Sequence, residues 1–384
     1  TIATAFAASV NYYLKDLVIF NRALTTDEVT SMNSRRFISI DPIPTNTYIF
    51  LGDSNCAGRG INSSIDSDLI GTISGTFVER FSANNPDATS WAGKLLLGTN
   101  QTLISELVAT QHGAEMRFGK EMGAVKETCI IKYGRGSHSA FPRGGTTSPD
   151  FHPSSVSGAF SQLSNVINTA VGDLLHSQRR VPIFRGLIII LGANDAIFAR
   201  QGVSWTRSGT SATITWNTHG LVAGATLGIY NSNDLTAIPN GVYTLTSATT
   251  NTFTFTVPDA GATSGTVSYS GSYNFKQNMY DIINGVINII TTDRTVDKLR
   301  IYLPRPTNPS SGLNEEAYSQ LITAGTAVGT DFLTDNPSRV GTVLGSTSQS
   351  TDGFGMLDGL HYSTSGYSSV GGGMKDYFIT YVNE

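Results

Sequence analysis

Three short segments of this chain hold the residue types that acyl-transfer chemistry needs. Gly52-Asp53-Ser54-Asn55 offers a hydroxyl that becomes a nucleophile once a base takes its proton. Asp358-Gly359-Leu360-His361 sets a carboxylate three residues before an imidazole, where it can hold the ring in the tautomer that accepts a serine proton. Gly192-Ala193-Asn194-Asp195 supplies a side-chain amide that can face a developing oxyanion, a role worth about 10²–10³ in rate. Taken singly, each segment reads equally well as a helix cap or a tight turn. Their weight comes from their order along the chain, and from Gly52-Asp53-Ser54-Asn55 and Gly192-Ala193-Asn194-Asp195 falling directly after strand-like runs.

Those runs are Tyr48-Ile49-Phe50-Leu51, Cys129-Ile130-Ile131-Lys132-Tyr133, Leu187-Ile188-Ile189-Ile190 and Leu299-Arg300-Ile301-Tyr302-Leu303. Helical spacing appears between them, over Ser155 to His176 and Asn274 to Ile290. Continuous apolar strands alternating with helices predict an α/β fold, a three-layer α/β/α arrangement around a parallel central sheet. In such sheets ligands bind beyond the carboxyl ends of the strands, where Ser54 and Asn194 fall. Residues 203–273 break the rhythm, with only Arg207, Asp234 and Asp259 as charges and period-two runs such as Thr252-Phe253-Thr254-Phe255-Thr256-Val257. They predict a small all-β module inserted into an α/β domain of residues 46–202 and 274–384. Residues 1–45 predict an arm: a strand at Asp16 to Phe20, a helix opening at Thr25-Thr26-Asp27-Glu28, and a linker at Asp41-Pro42-Ile43-Pro44.

Composition narrows the function classes. The chain has 384 residues, 39% of them hydrophobic, which is enough to bury a sizeable core, and only 14% charged. A net charge of −4 with no basic run argues against nucleic acid as a partner. No apolar stretch reaches the roughly 18–20 residues of a membrane span. Cys56 and Cys129 are too few for a disulfide framework, and Cys129 reads as an inert core thiol. No His/Cys/Asp cluster has metal-ligand spacing, so neither a metal nor another cofactor is implied. The N-terminal residues show no basic region followed by an apolar core, so no signal peptide is visible, and targeting information is expected upstream of Thr1.

Taken in chain order, with Gly52-Asp53-Ser54-Asn55 first, Gly192-Ala193-Asn194-Asp195 second and Asp358-Gly359-Leu360-His361 last, the three motifs resemble the SGNH (GDSL-type) hydrolase family, whose flavodoxin-like fold agrees with the predicted layers. Gly52-Asp53-Ser54-Asn55-Cys56-Ala57-Gly58-Arg59-Gly60 is similar to the sialate O-acetylesterase and acetylxylan esterase branch, as are Gly113-Ala114-Glu115 and Lys132-Tyr133-Gly134-Arg135-Gly136-Ser137. The resemblance implies a serine esterase removing O-acetyl groups from a carbohydrate, with Ser54, His361 and Asp358 as nucleophile, base and orienting acid. It implies an oxyanion hole of the Ser54 and Gly136 N–H groups with Asn194, Gly134 being the fallback for Gly136. Glu115 and His138 become substrate-binding candidates, although a structural carboxylate and a solvated loop histidine are the plainer readings; His152 shares the latter. Leu191-Gly192-Ala193-Asn194-Asp195 departs from the branch's Gln-Gly-Glu-Ser-Asp, which throws support of the histidine onto Asp358. Cys56 stands where Met is usual.

The arm is similar to the end of a laminin-G-like lectin domain, on Leu17-Val18-Ile19-Phe20-Asn21-Arg22-Ala23-Leu24-Thr25. The insert is similar to modules of bacteriophage tail proteins, on Ile238-Pro239-Asn240-Gly241-Val242-Tyr243-Thr244. Together these imply an O-acetylated polysaccharide or oligosaccharide as partner, an extracellular or virion-surface location, and a homo-oligomer, trimeric if this is a tail protein. The insert is expected to recognise the polymer and to add nothing to the chemistry. Two other readings stay open: an inactive carbohydrate-binding module, and a structural tail component.

Overall fold

The computed structural model describes residues 43–64, 66–69, 78–82, 91–94, 111–144, 150–155, 158–176, 180–292, 296, 299–304, 315–339, 343–349 and 361–380. The arm's expected strand and helix, and Asp358, lie outside the described residues. In chain order come β1 (Ile43–Gly52), α1 (Ser54–Ala57), β2 (Gly60–Ile61), β3 (Val78–Ser82), β4 (Trp91–Lys94), β5 (Gln111–His112), α2 (Glu115–Gly123) and β6 (Thr128–Gly134). Then follow α3 (Ala159–His176), β7 (Arg180–Ile190), α4 (Ala193–Ile197), β8 (Ala199–Ser208), β9 (Ser211–Thr215), β10 (Thr226–Tyr230), β11 (Gly241–Ala248), β12 (Thr252–Thr256) and β13 (Ser264–Ser270). The last elements are α5 (Phe275–Thr291), β14 (Leu299–Pro304), α6 (Glu315–Asp335), β15 (Val343–Gln349) and α7 (Thr364–Ile379).

The fold is mixed α/β. A seven-stranded sheet runs in the order β15-β14-β7-β1-β6-β3-β4, parallel throughout except for the antiparallel β3–β4 pair. Strand β1 shows why the chain pairs this way. Its side chains alternate faces, and both faces are apolar. Ile49 and Leu51 join a cluster with Leu163 and Ile167 of α3 and Ile283 of α5. Tyr48 and Phe50 join another with Phe118 and Met122 of α2 and Val370 and Met374 of α7. Ile43 and Pro44, expected in the linker, instead open β1, where Pro44 pairs in register with Val181. A proline is tolerated near the start of a strand because few ladder bonds are lost there.

Strands β8 to β13 form a separate closed barrel in the order β10-β11-β12-β9-β8-β13, every pairing antiparallel. Alternation builds it: Phe253 and Phe255 of β12 are buried while Thr252, Thr254 and Thr256 are not. Closure leaves no free strand edge. Trp205 fills the barrel core with Ile214, Leu227 and Val267, whereas Trp216 is 37% exposed beneath the Arg200 guanidinium. Among the described residues no helix is long and apolar enough to cross a membrane.

The chain lays β3 and β6 on one side of β1, then crosses to lay β7, β14 and β15 on the other. The carboxyl ends of β1, β6 and β7 therefore converge beside the point where strand order reverses, which is where α/β sheets open a crevice.

Candidate active site

The turn after β1 is set by a close approach. A Cβ at Gly52 would fall 2.1 Å from the Ile190 carbonyl oxygen and 2.8 Å from Cys56 Cβ, so only glycine lets β1 end against β7. Asp53 then donates its N–H to the Ile190 carbonyl at 3.0 Å, and its Oδ1 accepts the Asn55 N–H at 2.9 Å, capping α1. Ser54 follows as the first helical residue, only 5% exposed. Its Oγ lies 2.9 Å from Nε2 of His361, 307 residues away in sequence.

The pair is held by the residues next to it. Asn55 Oδ1 accepts the backbone N–H of Tyr362 at 3.2 Å and the Tyr367 hydroxyl at 3.4 Å. Tyr367 Oη in turn accepts the Arg59 N–H at 3.0 Å. The neighbour of Ser54 thus fixes the neighbour of His361. Tyr362 and Tyr367 are both buried, and burial pushes their phenols well above the ordinary range, so both stay neutral hydrogen-bonding groups. Cys56 faces into the apolar cluster with Phe50 and Phe118, as a core thiol does.

The segment after β6 is pinned peptide by peptide. Gly134 has to be glycine, since a Cβ would lie 2.5 Å from the Ala57 nitrogen. Arg135 donates its N–H to the Gly52 carbonyl at 2.8 Å. The Gly136 carbonyl is 2.8 Å from His138 Nδ1, which fixes that nitrogen as the donor of the neutral ring. Burial lowers the His138 pKa and keeps the ring neutral. Ser137 takes a left-handed φ of 62°. Asn194 Nδ2 donates to the His138 carbonyl at 3.0 Å and to Asp53 Oδ2 at 3.2 Å. The structure therefore brings Asn194 to the Ser54 turn with both N–H groups engaged; turning one toward an oxyanion requires one of these bonds to open.

Asp195 and Asp53 make the buried acidic floor. Asp195, fully buried, accepts the N–H groups of Ala140 and Phe141 at 3.0–3.1 Å and holds the loop after Gly136. Burial pushes Asp195 up to about 8, against the pull of those N–H groups and with a further push from Asp53. Burial likewise raises Asp53 to about 7, against the Asn55 and Asn194 hydrogen bonds. A carboxyl raised in the folded state holds a proton that the unfolded chain, near pKa 3.9, has already released. The contribution of these two carboxyls to stability should therefore fall as pH rises from about 4 toward 7 for Asp53 and toward 8 for Asp195, by at most about 1.4 kcal/mol per pH unit for one such group. Melting of wild type and Asp53→Asn across pH 5–8 checks this: the wild-type advantage should shrink with rising pH, and a growing advantage contradicts it.

Glu115 does not sit where a substrate can reach it. It is fully buried, its Oε1 accepts Lys132 Nζ at 2.7 Å, and Lys132, equally buried, also donates to the Ala57 carbonyl at 2.9 Å. The structure thus replaces the substrate-binding candidate with a brace under α1: a fully enclosed carboxylate has no face left for a ligand. His152 is also not solvated; it bonds Ser154 Oγ at 2.7 Å and Asp281 at 3.2 Å. Sequence reasoning missed Lys132, although a lysine inside Cys129-Ile130-Ile131-Lys132-Tyr133 was the available signal, because a charge in a buried strand needs a partner. Among the described residues no cluster of His, Cys, Asp or Glu could hold a metal ion.

No family model matches the chain, and no curated protein does. Among solved structures it is similar to a protein from Arabidopsis thaliana (TM-score 0.48), to Est24, a carbohydrate acetylesterase from Sinorhizobium meliloti (0.39), and to the M. smegmatis aryl esterase (0.38). Each is 11% identical and covers 88% of this chain and 99% of its own. Likeness at this level does not reach to what the chain does; that rests on the site's own geometry.

Proposed function

We propose that this protein is a serine esterase of the SGNH type, with a three-layer α/β/α catalytic domain at residues 46–202 and 274–384 and an inserted module at 203–273. One observation carries the reading: Ser54 Oγ stands 2.9 Å from His361 Nε2 at the carboxyl end of β1. That is the distance at which a base relieves a hydroxyl of its proton as it attacks.

In this mechanism Ser54 Oγ forms a bond to the ester carbonyl carbon while His361 Nε2 takes the hydroxyl proton. The carbonyl π electrons move to oxygen, where the N–H groups of Ser54 and Gly136 receive the charge, joined by Asn194 if it turns. On collapse the alcohol oxygen leaves with the proton from His361, and the acyl group stays on Ser54. Water then repeats the sequence and releases the acid. Asp358 is assigned the orienting role on Nδ1.

The acyl group is proposed to be acetyl and the alcohol a carbohydrate hydroxyl. Support for this is the sequence resemblance at Gly52 to Gly60 and an insert whose only charges over 203–273 are Arg207, Asp234 and Asp259, suited to neutral sugar hydroxyls. A bacterial surface polysaccharide, a virion-surface location and a trimeric assembly belong to the same proposal. Hydrolysis of p-nitrophenyl acetate, followed by loss of acetyl mass from candidate polysaccharides, tests it in two steps. His361→Ala should lower kcat by about 10³-fold or more, and Asp358→Asn by less, because orientation rather than proton transfer is lost. A His361→Ala protein with near-normal turnover would sink the mechanism.

A further inference from the structure

The barrel meets the catalytic domain on the loop that carries Gly136 and His138. Phe141 belongs to the barrel's own apolar cluster, with Trp205 and Leu227, and its ring lies 5.7 Å from that of Phe198. The Thr226 N–H at the start of β10 donates to the Pro142 carbonyl at 3.0 Å. At Gly144, with φ 75°, a Cβ would fall 2.5 Å from both the Ala223 carbonyl oxygen and the Ala225 nitrogen.

Arg143 spans the junction. Its guanidinium lies over the Phe198 ring at 4.2 Å. One Nη donates to the Ser137 carbonyl at 3.2 Å and the other reaches the Gly220 carbonyl of the barrel at 3.5 Å. With the Gly136 carbonyl bonded to His138 and the Ser137 carbonyl bonded to Arg143, two successive peptide planes are fixed around a residue whose left-handed φ no β-carbon favours. A planar guanidinium fork placed over an aromatic ring can make both bonds at once, with a geometry a lysine ammonium does not share.

We propose that the barrel, through Arg143, positions the Gly136–Ser137 turn for catalysis. Arg143 is a positioning residue here, acting through the backbone of the turn and not on the ester. The inference rests on the reading of Ser54 as nucleophile and revises the expectation that the insert adds nothing to the chemistry.

The test uses the full chain, with Arg143→Ala, Arg143→Lys and Gly144→Val. On p-nitrophenyl acetate, kcat should fall about 10–100-fold in all three variants with KM within about threefold, since a misplaced oxyanion donor weakens the transition state more than the ground state. Amide hydrogen exchange in residues 134–144 should accelerate in the same variants, while exchange in β7 and β14 stays at the wild-type rate. Accelerated exchange with unchanged kcat overturns the positioning role, and so does unchanged exchange. An Arg143→Lys protein with wild-type kcat also overturns it, because charge alone would then suffice. If the wild type hydrolyses no ester, the esterase reading falls, and exchange in residues 134–144 alone decides whether the barrel holds this turn.

Discussion

Ser54→Ala should lower ester hydrolysis by about 10⁴-fold or more while leaving the fold intact. The change removes one oxygen atom, and the fold makes little structural use of it. Asp53, not Ser54, caps α1, and the Ser54 N–H and carbonyl remain in place. Alanine is a good helix former, so α1 loses nothing in propensity. What disappears is the nucleophile that His361 faces at 2.9 Å. Members of a triad act as a unit, so removing one forfeits nearly all of their joint effect. Steady-state kinetics with p-nitrophenyl acetate, beside a thermal melt, reads both quantities. Near-normal kcat in a folded variant would exclude Ser54 as nucleophile. A wild type that binds a polysaccharide without releasing acetate would favour the inactive carbohydrate-binding reading.

Lys132→Met should be the most damaging single change to stability, about 3–5 kcal/mol. Lys132 and Glu115 are both fully buried and 2.7 Å apart, so methionine takes the cation away from an enclosed carboxylate. Breaking such a pair costs more than removing it whole, because the remaining charge keeps its desolvation penalty. Adding Glu115→Gln to Lys132→Met should therefore recover part of the loss, and chemical denaturation of the single and double variants measures the difference. Activity should not recover equally. Lys132 also donates to the Ala57 carbonyl, the last residue of α1, so either variant frees the far end of the helix that begins with Ser54. Equal destabilisation in Lys132→Met and the double variant would show that Glu115 carries no stranded-charge penalty once Lys132 is gone.

Much of this architecture is legible along the chain. The runs at Tyr48–Leu51 and Leu187–Ile190 are apolar at every position, which marks strands covered on both faces, and both lie within strands of the sheet. The alternation of Phe253 and Phe255 with threonines marks a strand with one buried face, and β12 has that burial pattern. The helical spacing expected over Asn274 to Ile290 corresponds to α5 at Phe275–Thr291. These readings work because they depend on local period, and local period is written into neighbouring residues.

Position across the chain is different. From the sequence alone Glu115 could be a ligand-facing acid and His152 a solvated histidine. Tertiary structure decides both, by burial and by partners that local pattern does not reveal: Lys132 against Glu115 and Asp281 beside His152. What the sequence determined by itself is the set of elements and the residue types at strand ends, since both follow from propensity and spacing. What only the fold decided is which polar groups are enclosed. Enclosure depends on every element packed against a group, and it alone makes Lys132 a brace, Asp195 a raised-pKa clamp and Arg143 a bridge.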